Sequence, residues 1–260
     1  MKSFTKESLK KELKAIRERG FLPSSRPGNH GAIGNTLEDL LEIQENNLPI
    51  PNASEWELKS QRLGTASLTT LFHMEPSPTA MKLVPSYLLP TFGWRHAKAG
   101  KDYPETELSF RQTIHGLSRS DRGFKVVVEE DQRKILISFD CKFVDEKHRL
   151  WLKQVENKTD IRELDPQPYW GFNDLFHKAG TKLKNCFYVQ AKVKKVGAQE
   201  FYYYTDILML KDFSLSKFLD GIRQGSILVD FDARTGHNHG TKFRLRQNYF
   251  PKLYENVEII

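Results

Sequence analysis

Apolar positions recur four and three residues apart from Leu9 to Ile16, and beyond residue 55 they shift to short runs with a period near two. The first pattern predicts an amphipathic helix over residues 4–19. Thr5 is placed to cap it, Phe4 and Leu9 to staple its first turn, and Leu9, Leu13 and Ile16 to share one buried face. Lys10, Lys11, Lys14 and Arg17 take the opposite face, and Gly20 is a natural stop. Residues 21–34, rich in Pro and Gly, predict a loop or hinge. A second helix is expected from a Thr36 cap, with Leu37, Leu40 and Leu41 facing a core and Glu38 and Glu42 four apart on another face.

Strand-like runs follow at 55–62, 66–73, 108–115, 123–128, 134–140, 186–195 and 200–210, with two more at 226–232 and 241–247. Lys194 to Gln199 reads as the connection of a long hairpin. Helices are expected at 145–156, from Leu150, Trp151 and Leu152, and at 214–224 from a Ser214 cap. There is no repeat, low-complexity tract or clear linker. The pattern is that of a mixed α/β protein with its polar chemistry gathered near both ends.

Length and charge narrow the classes. A chain of 260 residues makes one large domain or two lobes with a substantial core. No apolar run approaches the roughly 18 residues that span a bilayer, and no apolar stretch follows the N-terminal charges, so neither a membrane span nor a secretory signal is expected. Two cysteines, Cys141 and Cys186, lack metal-ligand spacing and read as buried thiols of a reducing, cytoplasmic protein. The formal charge of +7 favours a polyanionic partner.

The segment Trp56-Glu57-Leu58-Lys59-Ser60-Gln61-Arg62 carries the first candidate chemistry. On a strand, Glu57 and Lys59 leave by one face while Trp56 and Leu58 turn into the core. A carboxylate that can hold a divalent cation, beside an ammonium that steadies or deprotonates a water, suits metal-assisted phosphodiester cleavage. The same triplet is common on ordinary strands as a solvated ion pair. Such a site gathers about three carboxylates and a lysine. Glu38 offers one from a helix, Asn52 stands where a third acid is expected, and Glu55 lies two residues before Glu57.

The second candidate runs from Asp230 to Arg246. Asp232, Arg234, His237, Asn238, His239, Lys242 and Arg244 crowd a turn between two strands. Arginine reads guanine O6 and N7, asparagine reads adenine, and aspartate accepts from cytosine N4, so the tip suits a DNA groove. His237 and His239 also admit a metal reading, and a solvated hairpin is the plain alternative. His96, His115, His148 and His177 read as surface or satisfied core histidines, and Tyr202, Tyr203 and Tyr204 as strand packing with one ring outward. Arg111, Arg119 and Arg122 are balanced between phosphate contact and ordinary surface charge.

Taken together, GNTLEDLLEIQENNLPIP with WELKSQR, SLTTLFHMEP (67–76) and VDFDARTGHNHGTKFR (229–244) resemble the MvaI/BcnI family of type II restriction endonucleases. The resemblance implies an α/β, restriction-endonuclease-like (PD-(D/E)xK) mixed sheet of the MutH-like branch, with flanking helices and two lobes around a DNA-binding cleft. It implies a single nuclease domain over 1–260, with a catalytic lobe over about 1–100 and a recognition lobe over about 101–260. The catalytic pattern falls on Glu38, Asn52, Glu57 and Lys59, and the metal, Mg²⁺, on Asn52, Glu57 and Leu58. Asn52 departs from the family's aspartate, which implies an inactive or weakened form. His73 is implied on one side of a central base pair, His237 or His239 on the other, with Asp232, Arg234 and Arg244 reading the flanking G·C pairs. The implied function is Mg²⁺-dependent cleavage of double-stranded DNA at a CC-N-GG-type site. The chain would act as a monomer, one strand at a time, with a cognate DNA methyltransferase in the host. The alternatives are a MutH-like nicking enzyme and a sequence-specific binder that does not cleave.

Overall fold

Thr5 caps the first helix, Lys6–Glu18, through its side chain, and Ser8 returns the bond to the Thr5 backbone. Leu9, Leu13 and Ile16 are buried as their spacing requires, and Phe4 is buried beside them in the same core. The computed structural model describes residues 4–29, 31–43, 55–160 and 163–260, so Asn52 lies outside the described residues.

The second helix, Ala32–Leu40, starts earlier than expected. Thr36 does not cap it. That hydroxyl is buried inside the helix and accepts from the Ser25 backbone N–H, a long-range partner that outweighed its capping tendency. Glu42 lies past the helix end with a positive φ, so it does not share a helical face with Glu38.

Two compact units emerge, each assembled from separated stretches of chain. One comprises residues 1–69, 176–217 and 247–260, the other residues 70–175 and 218–246. The sequence expectation drew a single boundary near residue 100.

In the first unit a five-stranded sheet forms around the hairpin Asn185–Val196 and Gln199–Phe213. Val196 pairs with Gln199 across a two-residue turn, where Gly197 adopts the positive φ that such turns demand of their first central residue. Leu22–Pro23 and Tyr254–Ile259 pair with the second strand of the hairpin. Glu57–Arg62 lies beside the first strand and runs parallel to it. Trp56 and Leu58 enter the core shared with the two N-terminal helices, and the Trp56 ring sits 4.7 Å from that of Phe187. By alternation Glu57 and Lys59 leave by the other face.

The second unit holds a six-stranded sheet built on the antiparallel pairs of Ile227–Arg234 with Leu108–His115 and Lys242–Leu245. A three-stranded sheet contains Arg122–Glu129, Lys134–Val144 and Tyr169–Gly171. Phe92, Phe110, Phe124, Phe139 and Phe231 pack as tilted and edge-on rings at the centre of this unit. Helix Phe172–Leu183 was not anticipated, whereas Leu215–Arg223 follows Ser214 as expected. The expected helix at 145–156 is a 3₁₀ turn, Glu146–His148, continued by Arg149–Glu156. No helix among the described residues is long and apolar enough to cross a membrane.

Candidate functional site

In the first unit the side chain of Glu57 is 1% exposed, a carboxylate withdrawn from water. Lys59 Nζ lies 2.9 Å from its Oε1, and Lys182 Nζ approaches the same oxygen at 4.0 Å. Oε2 is buried with no hydrogen-bond partner among the described residues. Removing a carboxylate from water costs several kcal/mol unless cations and hydrogen bonds compensate, so this oxygen is disposed to accept from a cation or a donor. Burial works to lower the Lys59 pKa, but the charge and hydrogen bond of Glu57 outweigh it and leave the ammonium raised, with Glu38 adding to the effect. Lys182 shows the opposite balance. Burial lowers its pKa, and the neighbouring charges of Lys59 and Lys178 reinforce that against Glu57 and Glu38.

Below the pair, Cys186 stands in parallel register with Glu57, and burial pushes its thiol far above the ordinary range, with the Glu57 charge adding to it. Burial likewise raises the pKa of the Tyr254 hydroxyl, with Cys186 and then Glu57 adding to it. Both groups are therefore neutral neighbours. Cys141, expected to be buried, is only half-buried; both thiols are free.

Glu57 and Lys59 are in contact, while Glu38, half-buried on its helix, makes only a minor electrostatic contribution at both lysines. Glu55 is exposed in the turn before the strand, so it does not extend the strand face that carries Glu57. Leu58 sends its side chain into the core, which leaves only its main-chain carbonyl as a possible metal donor. Among the described residues no group of three or more His, Cys, Asp or Glu could hold a metal ion. The unpartnered Glu57 oxygen fits a divalent cation, and further donors would have to come from Glu38, main-chain oxygen, water or phosphate. Lys182 was missed because residues 172–183 carry glycine and aromatics that obscure a helix. The signal was present in the spacing of Phe172, Leu175, Ala179 and Leu183, all buried.

In the second unit, one face of the six-stranded sheet is apolar, with Val229, Phe231, Ala233, Phe110, Ile114 and Phe243 buried. The other face alternates to charge. Asp230 stands opposite Thr113 and Lys242, and Asp232 opposite Arg111. The cations here are held by carboxylates. Arg234 pairs with Glu107 at 3.0 Å and lies over the Tyr103 ring at 4.6 Å. Arg244 reaches Asp230 at 3.3 Å, while Thr113 donates to the other oxygen of that carboxylate at 2.7 Å. Lys242 and Arg111 each lie 3.4 Å from an oxygen of Asp232. Glu107, Tyr103 and Thr113 are framework residues that give no signal in the sequence.

The tip itself is a tight turn in which Arg234 pairs with His237 across Thr235 and Gly236. The rings of His237 and His239 meet edge to face at 4.2 Å, both exposed. Glu75 fastens the returning chain by accepting from Asn238 Nδ2 and from the backbone and hydroxyl of Thr241. At Gly240, with φ +82°, a Cβ would lie 3.5 Å from both Glu75 Oε1 and His73 Cδ2, so the chain passes close to His73. His73 and the 237–241 tip are therefore neighbours. Elsewhere, His115 Nδ1 accepts backbone N–H groups of Leu117 and Ser118, and burial lowers its pKa. His148 pairs with Asp121 at 2.9 Å.

Comparison with known proteins agrees with this architecture. No curated protein sequence matches. A solved structure described as the restriction endonuclease MvaI–cognate DNA substrate complex is 23% identical, covers 99% of both chains and has a TM-score of 0.77. MvaI in the absence of DNA is 24% identical over the whole of both chains, with a TM-score of 0.56. These likenesses establish the expected restriction-endonuclease fold. The family model for the MvaI/BcnI restriction endonuclease family matches residues 10–254, and the chain belongs to that family of site-specific nucleases.

Proposed function

We propose that the chain binds double-stranded DNA at a short CC-N-GG-like site and hydrolyses its phosphodiesters with Mg²⁺, as a monomer acting on one strand at a time. The observation that carries this reading is the buried Glu57 carboxylate, with one oxygen on Lys59 and the other without a partner among the described residues. When bound there, Mg²⁺ supplies Lewis-acid polarisation of the phosphate and a more acidic water. Glu57, Leu58 through its carbonyl, and residue 52 would hold it. Lys59 holds the attacking water by its ammonium, which Glu57 keeps protonated and aimed. Glu38 adds a minor share of negative charge at both lysines. Lys182, at the same carboxylate oxygen, places a second positive charge where a phosphate must approach. His73, Asp232, Arg234, His237, Asn238, His239, Lys242 and Arg244 form the reading surface, with the imidazoles at the central base pair. A host carrying such an activity in its cytoplasm needs a cognate methyltransferase to protect its own sites.

A second reading, a sequence-specific binder that does not cleave, is favoured by one feature. Asn52 brings an amide where an aspartate would bring charge to the metal. Plasmid DNA incubated with Mg²⁺ and either the natural chain or Asn52→Asp separates the two. Asn52→Asp is expected to raise the cleavage rate by orders of magnitude. Equal cleavage by both forms would remove position 52 from the metal site. Specific binding with no cleavage by either would leave the binder.

A further inference from the structure

Three arginines, Arg111, Arg119 and Arg122, are indistinguishable by sequence, and their surroundings separate them. Arg119 donates to the Gly123 and Ser138 carbonyls and to Ser138 Oγ. Arg122 is stacked on Trp94 at 4.0 Å. Both are committed to the framework of their unit. Arg111 differs. Its side chain is 73% exposed, and its one partner among the described residues is Asp232, reached through Nε at 3.4 Å. Neither terminal Nη group has a protein partner among the described residues.

We propose that Arg111 and Asp232 together read one G·C base pair in the major groove, with Arg111 the specificity-determining residue on guanine. The inference rests on the DNA-cleaving reading above and adds a reader that it does not include. Arg111 and Asp232 are directly opposite in an antiparallel pair, so both side chains rise from one point of the charged sheet face. The ion pair at Nε leaves the two Nη groups as a two-pronged donor, the geometry that meets guanine O6 and N7 together. Asp232 carries more lone pairs than Arg111 and Lys242 use, and a carboxylate is the acceptor that cytosine N4 requires. Two donors beside one acceptor match the acceptor, acceptor, donor order along the edge of a G·C pair. A phosphate is the competing ligand for an exposed arginine. The Asp232 carboxylate would repel it at this distance, which favours a base edge.

The test is competition binding in Ca²⁺ at fixed salt, using the preferred duplex, a random duplex, and preferred duplexes with each guanine in turn replaced by 7-deazaguanine. Arg111→Ala should weaken the preferred duplex about 10- to 100-fold, as for one lost bidentate contact, and leave random DNA within about two-fold. At one position 7-deazaguanine should weaken the natural chain about ten-fold and cost Arg111→Ala nothing further, because the N7 acceptor is already unread. Equal weakening of every duplex, with a shallower salt dependence, would make Arg111 a phosphate contact and overturn the proposal. So would an unchanged preference, or a 7-deazaguanine penalty that survives in the variant at every position. If the natural chain itself preferred no duplex over random DNA, the DNA-cleaving reading would fail first, before any variant was measured.

Discussion

The two charged regions of this protein use opposite strategies. Around Glu57 the carboxylate is sealed from water, its cations are largely buried, and one oxygen has no partner among the described residues. On the sheet face around Asp232 the ion pairs are looser, at 3.4 Å, the carboxylate is less deeply buried, and Arg111 is largely exposed. The first arrangement fixes a few charges firmly, as bond-breaking requires, because in a low dielectric each misplaced charge is expensive. The second keeps side chains presented and preoriented while their faces remain free for a ligand. Chemistry and reading make different demands on burial.

The contrast breaks most visibly at Lys59. In a cleaving background, Lys59→Met should lower the rate about 100- to 10,000-fold, the range for loss of a positioned proton-handling group, while duplex binding in Ca²⁺ changes only a few-fold. A parallel loss of binding would mark Lys59 as a phosphate anchor, and the two regions would then share one role. Removing one partner of a buried pair should also destabilise the fold by about 3 kcal/mol, visible as a lower urea midpoint. On the open face the expected effects are smaller and of another kind. Arg234→Ala or Arg244→Ala should cost about 1–3 kcal/mol of binding to the preferred duplex, measured by competition, with little change for random DNA. Uniform losses across all duplexes would reduce the face to a nonspecific clamp.

The smallest effect concerns an ion pair between these extremes. Arg62 Nη2 lies 2.7 Å from Glu200, and its hydrogen bond, with those of Tyr202 and Lys195, lowers the Glu200 pKa from 4.5 to about 2. A depressed carboxylate stabilises the fold fully above its unfolded value. That stabilisation fades as pH falls from about 4.5 toward about 2. Glu200→Gln should therefore lower the urea midpoint at pH 7 and narrow its gap to the natural chain at pH 3. An equal gap at both values would mean that the pair contributes no proton-linked stability.

Much of the first region was legible because a strand has a strict period of two. Trp56 and Leu58 inward, Glu57 and Lys59 outward, follows from local geometry alone. The hairpin at Val196 to Gln199 was equally plain, since positive φ at Gly197 leaves few alternatives. The Thr36 cap failed because a long-range bond from Ser25 competed for the hydroxyl. Lys182 escaped because its helix reads ambiguously and its contact with Glu57 is remote in sequence. On the second face the types of the readers could be named, yet Glu107, Tyr103 and Glu75, which hold them, could not.

By itself, then, the sequence determined which residues alternate, where the turns fall, and that a carboxylate and an ammonium share one strand face beside a chain of net charge +7. Each of these is set by periodicity, backbone sterics or composition, which act over a few residues or over the whole chain. Only the tertiary structure decided that Glu57 is sealed against Lys59, that Lys182 joins it, and that, among the described residues, one Glu57 oxygen has no partner and Arg111 alone of three arginines keeps its guanidinium fork open. Burial and pairing are properties of neighbours brought together from distant parts of the chain, and no local pattern encodes them.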